Sequence, residues 1–471
     1  MTFLSRINAT SRKITPRFVM KFLRKHRDKV AGGTEQILAS AVSMVGLIFL
    51  SRLMSIDDFG ILAIATGIWL IMEMIQHSTI ISPFIMSCPN PKQDRHEFGA
   101  WLALNLVLAL VIPLIFFILG YVLQPVVPEL AQGLMLSAPM TLVGMLYMFA
   151  RRVHYHQRDR KALLIQTLSY GLSYVLILLI IVQSVEVVTP GWGVTILTMA
   201  YGIPAFFFTL AIALEARFDK TVWQRIKREK KLIFELGAAG SIWQFSYTVT
   251  LLLLSVLSTP AAVAIFSITR TLVRPITIMI STLLSVDFSR AVRAHKAKGR
   301  AGLKKIISNI WLASSLLTAI PIALLLIFPE FFLSLIYSQK YAHATFDLQL
   351  RVLLFLPMIY GAPLDMGLAI LRDTKFLVRA HTISLTIGVI ILLGFYLLGQ
   401  INATTALSSL FVSRMITLPM LHLRYRELMY GFEQKSTVKS VKEKLEKTIS
   451  ARKLNASQLN TGQLSTRHKD A

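Results

Sequence analysis

Twelve long apolar runs dominate this sequence and leave few folds open to it. A helix needs about 20 mostly apolar residues to cross the hydrocarbon layer of a bilayer. Such runs recur at about residues 34–53, 57–80, 99–121, 130–150, 163–183, 192–214, 233–256, 260–286, 306–328, 344–371, 380–399 and 403–423, with short polar turns between them. They are too long, and alternate too little, to be barrel strands. Only 16% of the 471 residues are charged, against about a quarter in a soluble domain. The expectation is an all-α polytopic membrane protein of about twelve transmembrane helices. The tenth run contains Pro357, Gly361 and Pro363. Proline lacks the amide hydrogen that the helical ladder needs, so this run should break or bend.

The formal net charge of +26 is the signature of a nucleic-acid binder only if the charge is gathered on one face. Here it follows the loops. With the N-terminus placed inside, alternate loops carry the basic residues: nine in 1–33, five from Arg151 to Lys161, seven from Arg217 to Lys231, seven from Arg290 to Lys305 and eleven from Arg424 onward. The intervening turns hold only Arg52 and Lys340. Lysine and arginine collect on the cytoplasmic side of membrane proteins, so both termini are expected in the cytoplasm. The excess charge is then topology signal and attraction to anionic membrane lipids, with no nucleic acid as partner.

The polar leader precedes the first apolar run and has no signal-peptide pattern. Two readings stay open for it: an amphipathic basic helix on the headgroups with Phe18, Phe22 and Leu23 inserted, or a transit peptide. The expected organisation is a basic cytoplasmic leader (1–33), an N-terminal six-helix lobe (34–216), a basic linker (217–231), a C-terminal six-helix lobe (232–425) and a polar cytoplasmic tail (426–471), whose end at 455–471 reads as disordered.

The halves repeat. Shifted by 204 residues without gaps, Val45 to Thr66 lies over Val249 to Arg270 with seven of 22 positions identical, Ser51/Ser255 and Leu53/Leu257 among them. Both halves start from the same side, so the repeat is parallel. Two-lobed repeats of this kind are typical of transporters that rock around a site between the lobes.

Four arginines fall inside the runs: Arg270, Arg274, Arg351 and Arg414. At about 1.5 Å per residue, Arg270 and Arg414 lie about 15 Å from the outer face and Arg351 about 10 Å. Arg274 is one turn beyond Arg270 on the same face. A guanidinium at that depth costs at least about 2.5 kcal/mol and must face a cavity or a partner. The sequence supplies few buried acids as partners: Glu73 and Asp365 lie towards the cytoplasmic ends of their runs and no acid sits at the midplane, so the cationic cluster is expected to lack a midplane counter-ion and to suit a phosphate or carboxylate. The alternatives are arginines that snorkel, bond carbonyls or pair with Glu73. Glu73, His77 and Asp365 are the candidate ion-coupling residues. Trp243, Gln244, Tyr247, Tyr170 and Tyr174 fit either sugar stacking or interfacial belts.

Neither a G-x-x-x-x-G-K-[ST] phosphate loop nor an H-E-x-x-H helix occurs, the single Cys88 makes no disulfide or cysteine zinc site, and no extramembrane loop is large enough for a catalytic domain. No cofactor, no metal and no enzymatic activity are expected.

Three stretches carry a family resemblance. They are Phe49-Leu-Ser-Arg-Leu-Met-Ser-Ile-Asp-Asp-Phe-Gly60, Ala261-Ala-Val-Ala-Ile-Phe-Ser-Ile-Thr-Arg-Thr-Leu-Val-Arg-Pro275 and Leu335-Ile-Tyr-Ser-Gln-Lys-Tyr-Ala-His-Ala344. They resemble the first turn, the eighth span and an external turn of the polysaccharide transporter (Wzx-like oligosaccharide flippase) family. That family belongs to the multidrug/oligosaccharidyl-lipid/polysaccharide exporter superfamily. Ser338 stands where the family's external turn has glycine, and Gln244 and hydroxyl residues stand where its members often have an aspartate. The resemblance implies a flippase that moves polyprenyl-diphosphate-linked oligosaccharide across the bacterial inner membrane by alternating access. It also implies a cavity arginine at Arg270, with polymerase and glycosyltransferases of the same pathway as partners. A drug efflux transporter of the same superfamily and a non-transporting scaffold for glycan synthesis are the other readings.

Overall fold

The computed structural model describes residues 27–429, apart from 89–90, 158, 231–232 and 234–246. The leader up to residue 26, the tail from 430, and Trp243 and Gln244 lie outside the described residues. All regular structure among them is helical. The first half comprises α1 (Arg27–Leu53), α2 (Ile56–Gln76, continuing through 77–87), α3 (Arg95–Leu123), α4 (Pro128–Gln157), α5 (Arg160–Ser184) and α6 (Pro190–Glu215). A short connecting helix, α7 (Val222–Arg228), follows. The second half comprises α8 (Tyr247–Leu257), α9 (Pro260–Ile327), α10 (Pro329–Tyr337), α11 (Thr345–Leu353), α12 (Phe355–Ile370), α13 (Thr374–Leu397) and α14 (Ala403–Met429).

Ten of these segments are long and apolar enough to cross a membrane, and the shorter apolar helices Leu38–Leu53 and Tyr247–Leu257 bring the number to twelve among the described residues. The count agrees with the apolar runs, but several bounds differ. α9 is helical from 260 to 327, interrupted only at Gly299, where φ is 61° and ψ −146°. The basic stretch 290–305 is thus helical on both sides of the break at Gly299, because its alanines, lysines and arginines are strong helix formers. The tenth run breaks at Leu354, between α11 and α12. The break falls three residues before Pro357, which has no N–H to continue the ladder.

By compactness the chain forms two units. One comprises Met1–Ile278, Thr318–Leu356 and His381–Arg414; the other comprises Met279–Leu317, Pro357–Ala380 and Met415–Ala471. The core of the first gathers Ile64, Ile68, Leu251, Leu254, Phe266 and Leu407, drawn from both sequence halves. The core of the second gathers Ala291, Leu303, Ile307, Ile310, Leu368 and Leu421.

The sequence repeat has a structural counterpart in the first unit. α1 ends at Leu53 and α8 at Leu257; α2 starts at Ile56 and α9 at Pro260. Both pairs are 204 residues apart. The N-caps also match: Ser55 accepts the Asp58 amide at 3.1 Å and Thr259 accepts the Ala262 amide at 3.4 Å, as capping requires. Ser51 donates to the Ile48 carbonyl and Ser255 to that of Leu252, each at 2.7 Å. The two helices touch at Gly60, where an added Cβ would lie 2.0 Å from the Pro260 carbonyl oxygen. That glycine is required by close approach rather than by its backbone angles.

The turns on the charge-poor side clasp each other. The Arg52 guanidinium donates to the carbonyl of Ile336 at 2.7 Å and to that of Leu335, at the C-terminus of α10. In return the Lys340 ammonium donates to the carbonyls of Met54 and, at 3.4 Å, Arg52, at the C-terminus of α1. Each cation therefore sits at the negative end of the other half's helix. Between them Ser338 adopts φ 93° and ψ 165°. This region is open almost only to glycine.

Candidate functional site

The principal cavity of the first unit has a volume of about 290 Å³. Its two long walls are the equivalent helices α2 and α9. Ala63, Thr66, Gly67, Leu70 and Glu73 line it from α2, and Ser267, Arg270, Thr271, Arg274 and Thr277 line it from α9. These are five pairs at the same 204-residue offset. Spacings of three and four residues keep one face of each helix turned inward. The shared register follows from the matched caps, which start both helices at equivalent residues.

The walls differ in charge. Arg270 and Arg274 occupy the places that Thr66 and Leu70 hold on α2, while Glu73 faces the site from the place of Thr277. The guanidinium carbon of Arg270 lies 4.2 Å from the centre of the Tyr247 ring, a cation–π contact. Among the described residues neither Arg270 nor Arg274 forms an ion pair within 4.0 Å. The Glu73 carboxylate feels the charges of Arg152, Arg151, Arg274 and Arg270, in that order of strength. α2 carries Glu73 onto the α2 wall of the same cavity, where, among the described residues, it makes no ion pair with Arg270 or Arg274 within 4.0 Å.

Not all four intramembrane arginines gather in the cavity. Arg351 on α11 is only 6% exposed. Its guanidinium carbon lies 4.5 Å from the centre of the Phe266 ring and 5.0 Å from that of Tyr247, and it donates to the Phe266 carbonyl at 3.3 Å. Tyr247 stacks on Phe266 at 4.9 Å, so Arg351 supports the ring on which Arg270 rests. Arg414 lies beside His381, 3.4 Å from its Nδ1. His77 is exposed and starts a π-helical turn, His77–Ile81, just past Glu73; such turns recur at functional sites. Asp365 belongs to the second unit.

Two features of the site go beyond the sequence reading, which singled out Tyr170 alone among their residues. The first is the pairing of Glu35 with Arg151. Arg151, assigned to a cytoplasmic loop from charge counting, lies inside α4 and is buried. It grips Glu35 with two bonds of 2.9 Å, from Nε to Oε1 and from Nη2 to Oε2. Thr167 and Tyr155 add hydroxyl donors to the same carboxylate at 2.5 and 3.2 Å. Glu35 is 2% exposed. A buried carboxylate so fully satisfied is a rigid support, and Arg151 reaches the cavity wall from it.

The second feature is an aromatic wall. Tyr170 stacks on Tyr201 at 4.7 Å, Tyr147 meets Tyr201 edge-on at 5.1 Å, and Trp69 stands 6.3 Å from Tyr201. All four line the cavity. Helical spacing alone could not have distinguished these rings from an interfacial belt, since they come from α2, α4, α5 and α6.

The fold is similar to that of solved transporters of the MOP superfamily. A multidrug resistance MATE family transporter in an inward-facing conformation superposes with a TM-score of 0.62 at 13% identity, covering 84% of this chain and 96% of that one. The lipid II flippase MurJ, in an inward closed conformation, gives 0.65 at 12% identity, covering 85% and 87%. A MOP superfamily transporter from Pyrococcus furiosus, described as having a binding pocket of reversed polarity that suggests a different function, gives 0.51 at 15% identity, covering 87% and 93%. No protein-family model matches the chain. No curated protein matches it in sequence.

Proposed function

We propose that this chain is a transporter rather than an enzyme, and that its cargo is an anionic lipid-linked saccharide: polyprenyl-diphosphate-linked oligosaccharide, flipped across a bacterial inner membrane by alternating access of two six-helix lobes. The observation that carries this reading is the pair Arg270 and Arg274, held over a cavity without an ion-pair partner within 4.0 Å among the described residues. Guanidinium forks match the geometry of phosphate oxygens, and desolvation strengthens the match. The tyrosine wall supplies flat faces for a sugar ring. Lipid II flippase is also the description of one solved structure with this fold, which supports a lipid-linked cargo.

Size limits what binds. A cavity of about 290 Å³ is at the lower end of ligand pockets, which run from roughly 300 to 1,000 Å³. In this reading it receives the diphosphate and first sugar, the prenyl chain stays in lipid, and Glu73 balances the arginines when the cargo is absent. Arg351 acts through Tyr247 rather than by touching cargo. Both termini face the cytoplasm, and polymerase and glycosyltransferases are the partners that supply and consume the repeat unit.

Glu73 also favours a second reading, efflux of cationic drugs, because a carboxylate in a cavity is what such cargo needs. Complementation separates the two. In a strain lacking its flippase, wild type should restore polysaccharide export, Arg270→Ala should not, and Arg270→Lys should restore it in part. Export by Arg270→Ala at the wild-type level would refute the anion site. Robust efflux of cationic dyes that Glu73→Gln abolishes would establish the second reading instead.

A further inference from the structure

Tyr337 is the last residue of α10 and is wholly buried. The two residues before it, Leu335 and Ile336, give their carbonyls to Arg52 of the first sequence half. Tyr337 itself turns inward, and its hydroxyl donates to the carbonyl of Ile268 on α9 at 3.1 Å. Ile268 stands two residues before Arg270. At 3.6 residues per turn, positions two apart are separated by about 200° around the helix. Tyr337 thus grips α9 from behind, while the front of the same turn presents Arg270 to the cavity. One short segment therefore touches both the outer clasp and the wall that carries the cations.

A row of contacts joins the two ends of this segment. The Lys340 ammonium lies 5.2 Å from the centre of the Tyr341 ring, and Tyr341 stands edge-on to Tyr337 at 6.0 Å. The clasp is also close to the cavity along α2: Ser55 caps that helix, and Phe59, one turn further on, already lines the cavity. The closed segment bears two costs. Ser338 holds a φ of 93°, which a residue with a side chain adopts only under strain. The Tyr341 hydroxyl is buried without a hydrogen-bond partner among the described residues, and it would gain one on meeting water. A strained segment held by a few polar contacts is suited to two discrete arrangements.

We infer that the turn 335–341 is a cargo-responsive closure on the charge-poor side, and that Tyr337 is the positioning residue that couples it to Arg270. An anion bound by Arg270 and Arg274 draws the front of α9 towards itself. The Tyr337 hydroxyl holds the back of the same helix and opposes that movement. Occupancy therefore weakens the bond from Tyr337 to Ile268, and with it the seat of the helix end whose carbonyls Arg52 holds. Such coupling is reciprocal, so loosening the turn also changes the affinity of the cavity. The inference rests on the anion reading of the cavity for what triggers release; the two arrangements of the turn do not depend on it.

The test uses the full chain in lipid nanodiscs, with Cys88→Ser and spin labels at Asp57→Cys and Gln339→Cys, two exposed positions on the facing turns. Pulsed electron paramagnetic resonance then gives the distance between the turns. Without ligand, Tyr337→Phe keeps the ring and loses the hydroxyl, and it should raise the long-distance fraction about fivefold, the worth of one neutral hydrogen bond. Tyr341→Phe removes the unpartnered hydroxyl of the neighbouring ring and should not raise it. An unchanged distribution in Tyr337→Phe, or equal opening in Tyr341→Phe, would overturn the coupling whatever the cargo is. Undecaprenyl diphosphate should then enlarge the long-distance fraction of the otherwise unaltered chain. It should also bind Tyr337→Phe more tightly, by at most the same fivefold, as followed by tryptophan fluorescence. Binding that leaves the distances unchanged would overturn the coupling while the anion site stands. No binding, or equal binding by Arg270→Ala, would refute the anion site instead, and the ligand-free distances then decide the turn.

Discussion

α2 and the first leg of α9 are the same device used twice, and only one copy carries the cations. They share caps, register and the five inward positions, yet Thr66 and Leu70 are replaced by Arg270 and Arg274. The repeat accounts for the shape of the cavity; the departures from the repeat account for its chemistry. α2 answers with one acid, Glu73, and with an ionic support behind it, the Glu35–Arg151 pair. A cavity built this way carries Arg270 and Arg274 on the α9 wall and Glu73, with the ion-paired Arg151 and the Trp69, Tyr147, Tyr170 and Tyr201 rings, on the rest of its lining.

Removing the support behind α2 should have the largest effect. Arg151→Ala leaves Glu35 buried without its bidentate partner, and breaking a buried pair in this way costs about 3–5 kcal/mol. Thermal unfolding should show it as a large fall in midpoint. Replacing both members together, Glu35→Leu with Arg151→Met, should cost much less, and an equal fall would mean that packing rather than charge holds the pair.

Next come the walls themselves. Arg270→Ala should lower export by about 10- to 100-fold, as loss of a contact to a charged group implies, while Thr66→Ala at the equivalent place on α2 should leave it near wild type. Equal losses would erase the difference on which the functional reading stands.

The close approach of the two helices is a third handle. Gly60→Ala would push a methyl group into the Pro260 carbonyl, and overpacking of this kind costs about 1–3 kcal/mol. The equivalent residue on α9, Ala264, already carries its methyl in a fully buried place. Comparing the unfolding of Gly60→Ala with that of Ala264→Gly measures how far the symmetry holds at the contact. The smallest effects belong to the caps: Ser55→Ala and Thr259→Ala should each cost about 1 kcal/mol, and similar values for both would confirm that the caps are equivalent.

Much of the fold could be read from the chain. Apolar runs of twenty residues specify transmembrane helices because lipid leaves the backbone no other way to satisfy its polar groups. The 204-residue repeat likewise foretold matching turns. Ser338 is a further legible detail, since a position that prefers glycine in similar turns has the backbone angles of glycine here. The helical stretch 290–305 was not legible, because counting charges separates water from lipid and not loop from helix. For the site, depth along the helices selected Arg270 and Arg274, but depth carries no azimuth. It therefore grouped Arg351 and Arg414 with them and set Glu73 apart. The Glu35–Arg151 pair joins residues 116 apart in sequence, and nothing local in either segment announces the other.

The clasp between Arg52 and Lys340 uses no carboxylate. Each side chain holds main-chain oxygens that have no other helical donor, and Arg52 keeps contact with water while doing so. Such a fastening loosens with added salt. Parting the turns would strand no charge in the interior, because both cations could rehydrate at once. The clasp thus behaves like a latch that lifts with little resistance.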